Sequence, residues 1–465
     1  MAGSALSERS APVQVLDARA MNAEIALLLF AFALPFTRLV EVDLIGVLYI
    51  HDLLTFPLLI ALLLRPHAIE MLRPMRLFLL LLGVWLVGAV LTDLVRHTAP
   101  NDYMRGWSRI ALFGGNTVML WLLSRGRIRV LMAYVLGAGL ALAANTLINP
   151  TALMAEDPWK FGIGYGLAIT CGVVATSRIL QRMFTIHFGS VLIGAVGLAS
   201  LFLNSRSLFA ICLLASAYGF LASYVSRHPR FASKVNPLAF VGFILVGLVV
   251  GNFMILAYGE LASTGVLGHA AQAKYYAQLG GTSGLNVIIG GRPEALVSLQ
   301  AIADSPIIGH GSWARDPYYS LLYFSSLKEA GLQATDTYQQ LGELSEFLIP
   351  SHSYVFGTWV EAGIAAVPIW IYVMLLAFRA LYANVRLRTE ANALISLVAL
   401  VVMWDVLFSP FASDARISKA IEVCILIAAN ERLRRAGQAQ SSSALASSGR
   451  AQPGSAGSAR QLWKR

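Results

Sequence analysis

The sequence predicts an all-α fold: a polytopic membrane helix bundle of about twelve transmembrane helices. Three observations predict it. The 465 residues are 57% hydrophobic and only 13% charged, about half the charged share of a soluble domain. Apolar runs long enough to cross the hydrocarbon core recur along most of the chain. The third observation is the placement of the basic residues, which fall in alternate gaps between those runs.

Taken in order, the runs centre near Phe30, Phe56, Trp85, Thr117, Gly137, Ala168, Gly194, Ala215, Leu245, Ile369, Val401 and Ile425. The first two are interrupted by Arg38, Glu41, Asp43, His51 and Asp52. The basic gaps hold Arg65, Arg73 and Arg76, then Arg125, Arg127 and Arg129, then Arg178 and Arg182. Arg227, Arg230 and Lys234 follow, then Arg379, Arg386 and Arg388, and finally Arg432, Arg434 and Arg435. Gaps between these are mixed or acidic. Strict alternation places both termini on the cytoplasmic side. It also explains the net charge of +10 without nucleic acid, since the cations sit in short gaps and in the tail. Cys171, Cys212 and Cys424 lie apart in apolar runs, as small core residues do, and suggest neither a disulfide framework nor a metal site.

The organisation expected is an N-terminal segment over 1–21, helices over 22–258, a large outer loop over 259–352, helices over 353–432 and a disordered tail over 433–465. The tail, rich in Ser, Ala and Gly, buries too little apolar surface to fold alone. The loop is expected to be partly helical. Pro293 and Glu294 are helix-start signals, Leu296, Leu299 and Ile302 follow at near-helical spacing, and Ser305-Pro306 closes the run. A second amphipathic stretch carries Tyr338, Leu341, Leu344 and Leu348.

Ionisable residues at span ends are costly and therefore candidates for function. Arg206 stands in a tight turn on the outer side, against the charge trend, either as a snorkelling arginine or as an anion contact. Arg292 precedes a helix start, where the dipole disfavours a cation unless a phosphate lies there; pairing with Glu294 is the alternative. His352 follows Pro350 at the entry to a span and suits a general base, or a structural role. Glu361 lies nine residues on, about 14 Å along a helix and on its opposite face, so it pairs within the bundle rather than with His352. Arg105 and Arg109, and Asp414 and Arg416, are further candidates for substrate contacts or for ion pairs. No phosphate-binding Gly loop, zinc motif or Asp-x-Asp pair is present, so a donor on the outer side would have to be delivered by the membrane.

Three ordered stretches resemble the O-antigen ligase and O-antigen polymerase superfamily. They are Ser205-Arg206 through Ala210, Gly291-Arg292-Pro293-Glu294 through Pro306-Ile307-Ile308-Gly309-His310-Gly311, and Ser351-His352-Ser353-Tyr354 through Glu361-Ala362-Gly363. The resemblance covers about residues 20 to 432. It departs where Ser353 replaces the usual Asn, and where Leu296 or Val297 stands in place of an aromatic. It implies a GT-C-like glycosyltransferase of the bacterial inner membrane with its site facing the periplasm. The donor would be an undecaprenyl-pyrophosphate-linked glycan. Arg206 and Arg292 would hold the pyrophosphate and His352 would act on the acceptor hydroxyl, with no metal or other cofactor. The leading expectation is a polysaccharide polymerase joining lipid-linked repeat units of O-antigen, capsule or exopolysaccharide. A ligase acting on a lipid A–core acceptor is the second, since the loop is only mildly acidic where a ligase calls for a more basic one. A polysaccharide transporter or flippase is the third. A chain-length regulator or other polysaccharide-assembly proteins are the partners expected beside the bilayer.

Overall fold

The computed structural model describes residues 18–232 except 45, 185, 186 and 204, scattered positions from 235 to 276, and 293–329, 347–387, 389–413 and 415–449. The described residues are mostly helical, with one short hairpin among them, β1 (Glu41–Asp43) and β2 (Val47–Tyr49). Leaving aside short helical turns such as Ala68–Met71, Ala152–Glu156 and Arg178–Met183, the helices of the first half are α1 (Ala18–Ala33), α2 (Ile50–Leu63), α3 (Arg76–Arg96), α4 (Pro100–Ser124), α5 (Ile128–Ile148), α6 (Gly164–Val174), α7 (Phe188–Phe202) and α8 (Arg206–Arg227). The loop carries α9 (Pro293–Asp304) and α10 (Pro317–Glu329). Then come α11 (Tyr354–Ala362), α12 (Val367–Arg386), α13 (Asn392–Phe408) and α14 (Ala415–Gly449).

Every expected run centre falls inside one of these helices except Leu245, which lies outside the described residues. Among the described residues, five stretches are long and apolar enough to cross a membrane: Ala20–Leu39, Arg73–Arg96, Ile128–Ile148, Arg206–Arg227 and Tyr354–Arg386. Ile50–Leu63, Trp159–Val174, Phe188–Phe202 and Asn392–Phe408 are apolar but shorter. α3 shows what solvent the outside prefers. It buries Phe78, Trp85 and Ala89 yet exposes Leu80, Val84, Val87, Leu91 and Leu94, a helix apolar all round. An outer face of that kind suits lipid.

The chain departs from the sequence expectations in three places. The hairpin and α10 were not expected. α1 begins at Ala18, inside the segment assigned to 1–21. The tail assigned as disordered from 433 is instead helical to Gly449. Ala, Arg, Leu and Gln extend a helix already nucleated inside the bundle, and propagation avoids the cost of starting one. Most of the amphipathic stretch at 335–348 lies outside the described residues.

One end of the bundle is defined by contacts between distant segments. Asn149 reaches Leu39 O, Trp159 bonds Ser200, Arg416 bonds Val47 O and Arg109 bonds Phe411 O. The segment between the loop helices α9 and α10 is tied to this same end by Asp93 and Arg96. Beneath it lies an aromatic floor. Trp370 meets Trp85 at 5.6 Å, Phe411 at 5.2 Å and Tyr354 at 5.1 Å between ring centroids. These rings join α3, α11 and α12 to the turn after α13, at distances where aromatic pairs attract beyond simple burial.

Candidate active site

The loop is fixed to the bundle by Ser305–Ser312, the segment that follows α9. Thr92 donates to Ile308 O, and Arg96 donates to Gly309 O at 2.8 Å and to Ser305 Oγ at 2.7 Å. Asp93 accepts from the Ser312 amide at 2.7 Å, from Ser312 Oγ at 2.8 Å and from Trp107 Nε1 at 2.7 Å. On the other side the His310 amide donates to Val360 O at 2.7 Å and the Gly311 amide to Glu361 O at 3.0 Å. His310 Nε2 faces Ala301 O at 2.7 Å, and because a carbonyl only accepts, that nitrogen carries the proton. Two glycines permit the approach. A Cβ on Gly363 would sit 1.9 Å from Ile307 O, and one on Gly309 would sit 2.6 Å from Gly363 N. Both also have positive φ, +67° and +81°, which glycine adopts without strain. The Pro306-x-x-Gly-x-Gly stretch is thus a backbone clasp.

His352 is held from both sides. Two residues before it, Pro350 O accepts from Ser298 Oγ of α9 at 2.9 Å. One residue after it, Ser353 caps α11, its Oγ accepting from the Phe356 amide at 3.2 Å and donating to Val406 O of α13 at 2.9 Å. Ser353 therefore fixes the entry of the helix, the task that an Asn at this position also performs. The imidazole Nδ1 lies 4.0 Å from Glu294 Oε1. Glu294, in the first turn of α9, is 9% exposed, and its Oε1 accepts from Tyr323 Oη of α10 at 3.3 Å. The pair brings together a half-exposed imidazole and a carboxylate positioned to orient it. Nearby on α10, burial and then the Asp304 carboxylate, which accepts its hydrogen bond at 2.7 Å, push the Tyr319 phenol well above its ordinary range.

Arg206 is the first residue of α8, half-buried, just after Ser200 and Ser205 at the end that carries His352. Arg292 and Asp414 lie outside the described residues. The remaining expected substrate contacts have internal partners. Arg109 pairs with Glu361, lies 5.1 Å from the Trp313 ring centroid and 5.7 Å from that of Phe411. Arg416 pairs with Asp52 at 2.5 Å, and Asn116 and the Tyr49 amide bond the same carboxylate. Arg105 stands 3.9 Å from Asp102, which Arg315 approaches to 2.5 Å. Desolvated at the rim of an apolar bundle, Arg109, Glu361 and Arg416 are each held by an opposite charge.

Sequence reasoning missed a second ionic group. Lys419 sits between Asp405 at 2.5 Å and Glu422, and Tyr165 Oη donates to Glu422 at 2.5 Å. The signal was present as Lys419 and Glu422, three apart inside an apolar run. Glu294 was also missed as the partner of His352, having been read as a helix-start residue; the 58 positions between them hide the pairing. Among the described residues no three His, Cys, Asp or Glu side chains gather to hold a metal ion. Compared with protein-family models, curated proteins and solved structures, the chain matches none of them.

Proposed function

We propose that this chain is a glycosyltransferase of the bacterial inner membrane. It joins undecaprenyl-pyrophosphate-linked oligosaccharide repeat units at the periplasmic face, with about twelve spans in a GT-C-like arrangement. The observation that carries the reading is the His352–Glu294 pair, 4.0 Å apart at the polar end of an apolar bundle. A lipid-delivered donor and a half-exposed imidazole backed by a carboxylate meet only at such an end.

In this reading Glu294 holds Nδ1 and leaves Nε2 to take the acceptor hydroxyl proton. The acceptor oxygen bonds the anomeric carbon as the carbon–oxygen bond to pyrophosphate breaks. Arg206 and Arg292 offset the charge that gathers on the leaving pyrophosphate. The proton passes from His352 to water, which a half-exposed ring permits. Transport is disfavoured by where the Lys419–Glu422 pair lies. It is only about 6–11 Å into α14 at 1.5 Å per residue, near the polar end and short of the midplane where transporters bind cargo.

The test is incubation of the purified protein in liposomes with the lipid-linked repeat unit. Wild type is expected to give a ladder of chain lengths, and folded His352→Ala to give none. A single transfer to lipid A–core would reassign the chain as a ligase. Unchanged transfer in His352→Ala would remove the catalytic reading.

A further inference from the structure

Trp313 follows the clasp, and its backbone has φ +53°, a region that bulky residues seldom occupy. The strain is imposed from both flanks. Before it, the amide and hydroxyl of Ser312 both bond Asp93. After it, Ala314 O accepts from the Ile349 amide at 3.0 Å and Arg315 bonds Asp102. A strained residue so firmly fixed marks a position where the side chain's direction matters. Yet the indole belongs to none of the hydrophobic clusters of the described residues and is only half-buried. Its described ring contacts are cations: Arg105 at 5.9 Å and Arg109 at 5.1 Å. These two arginines lie one turn apart on α4, so both reach the ring from the α4 side.

We infer that Trp313 is the floor of a carbohydrate subsite, stacking the face of one pyranose ring of the glycan, with Arg105 and Arg315 at its edge to bond hydroxyl or acidic groups. An indole presents a flat apolar surface to the C–H bonds of a sugar. Arg105 and Arg315 meet at Asp102 and keep 33% and 37% of their side chains exposed, and Arg105 lies 5.9 Å from the indole centroid. The subsite lies close to the proposed base. Ala314, next to Trp313, pairs with Ile349, and His352 follows Ile349 by three residues, at most about 10 Å of chain. This rests on the glycosyltransferase reading, which it deepens by placing the glycan.

The test uses lipid-linked oligosaccharide extracted from the organism that carries the chain, and the free oligosaccharide released from it by mild acid. In the transfer assay, Trp313→Ala is expected to raise the half-saturating substrate concentration roughly two- to tenfold with the maximal rate nearly unchanged, and Trp313→Phe to restore most of it. A purely structural tryptophan would instead lower the folded fraction and the maximal rate together. In the binding arm, saturation-transfer NMR is expected to label sugar-ring protons in wild type and not in Trp313→Ala. Labelling lost in the variant while no transfer occurs in wild type would keep the subsite and remove the proposed reaction. Equal labelling in both proteins, labelling in neither, or saturation carried only by detergent acyl chains would overturn the subsite.

Discussion

Two kinds of charge share one end of this molecule. Arg416–Asp52, Arg109–Glu361 and the Lys419 group are tightly paired, with side chains no more than about a fifth exposed. His352 and Glu294 stand 4.0 Å apart, with the imidazole 37% exposed. The first kind joins helix to helix: α14 to the start of α2, α4 to α11, and α14 to α13. The second joins a loop helix to the entry of a span and keeps the imidazole partly exposed. Close, desolvated pairing is how a bundle holds its own charges. A looser and wetter pair is free to exchange a proton.

If that contrast is right, substitutions in the two groups separate activity from stability. The largest effect is expected at His352. His352→Ala should lower transfer at least about 100-fold while thermal unfolding in detergent stays near wild type. Arg206→Ala should cost a similar factor, roughly 100-fold or more, with the loss confined to the chemical step. A drop in both melting temperature and yield would place His352 in the structural group. Next comes Glu361→Gln, which strands the Arg109 guanidinium. It should destabilise by about 3–5 kcal/mol, seen as early unfolding or loss of the folded protein, in contrast to His352→Ala. Glu294→Gln should fall between, reducing transfer by about tenfold with little change in unfolding, since it loses orientation but keeps the shape. The smallest effect is expected away from this end. Burial first and the Arg227 charge second hold the His187 imidazole below its ordinary value of 6.5. The unfolded chain therefore takes up that proton first. The contribution is complete above pH 6.5 and declines as pH falls toward the folded value. A modest fall in melting temperature between neutral and mildly acidic buffer should shrink in His187→Gln.

The helices were legible because a bilayer demands long apolar runs, and few other folds produce them. The helix at 293–304 was legible for a local reason, its Pro293 and Glu294 start and its Ser305 stop. The pairing of Glu361 inside the bundle also followed from helix geometry, which turned it away from His352. Its partner did not follow, since Arg109 is 252 residues distant and nothing local links them. The hairpin at 41–49 was hidden by its charges, which read as interruptions of two spans. In the fold Asp52, just after the hairpin, caps the start of α2 by accepting from the Tyr49 amide and receives Arg416. The helical continuation of α14 was missed because composition judges a segment as if it began from coil. The clasp at 305–312 was visible as a motif, but the motif does not say whether its glycines meet a ligand or another backbone. Only the positions of Ile307 O and Gly363 decide that.

The clasp also sets an order of assembly. Asp93 and Arg96 leave the ribosome long before their partners, which lie 219 and 213 residues downstream. At about 5–20 residues per second, translation leaves these charges waiting for roughly 10–40 s at the end of an inserted helix. During that interval α3 carries a carboxylate and a guanidinium one turn apart, able to shield each other. When Ser305 to Ser312 arrive, both side chains are claimed by the loop. Closure of this end is thus a late event in biogenesis, and a chain truncated before Ser305 would keep the Trp107 bond to Asp93 but lack the loop partners of Asp93 and Arg96.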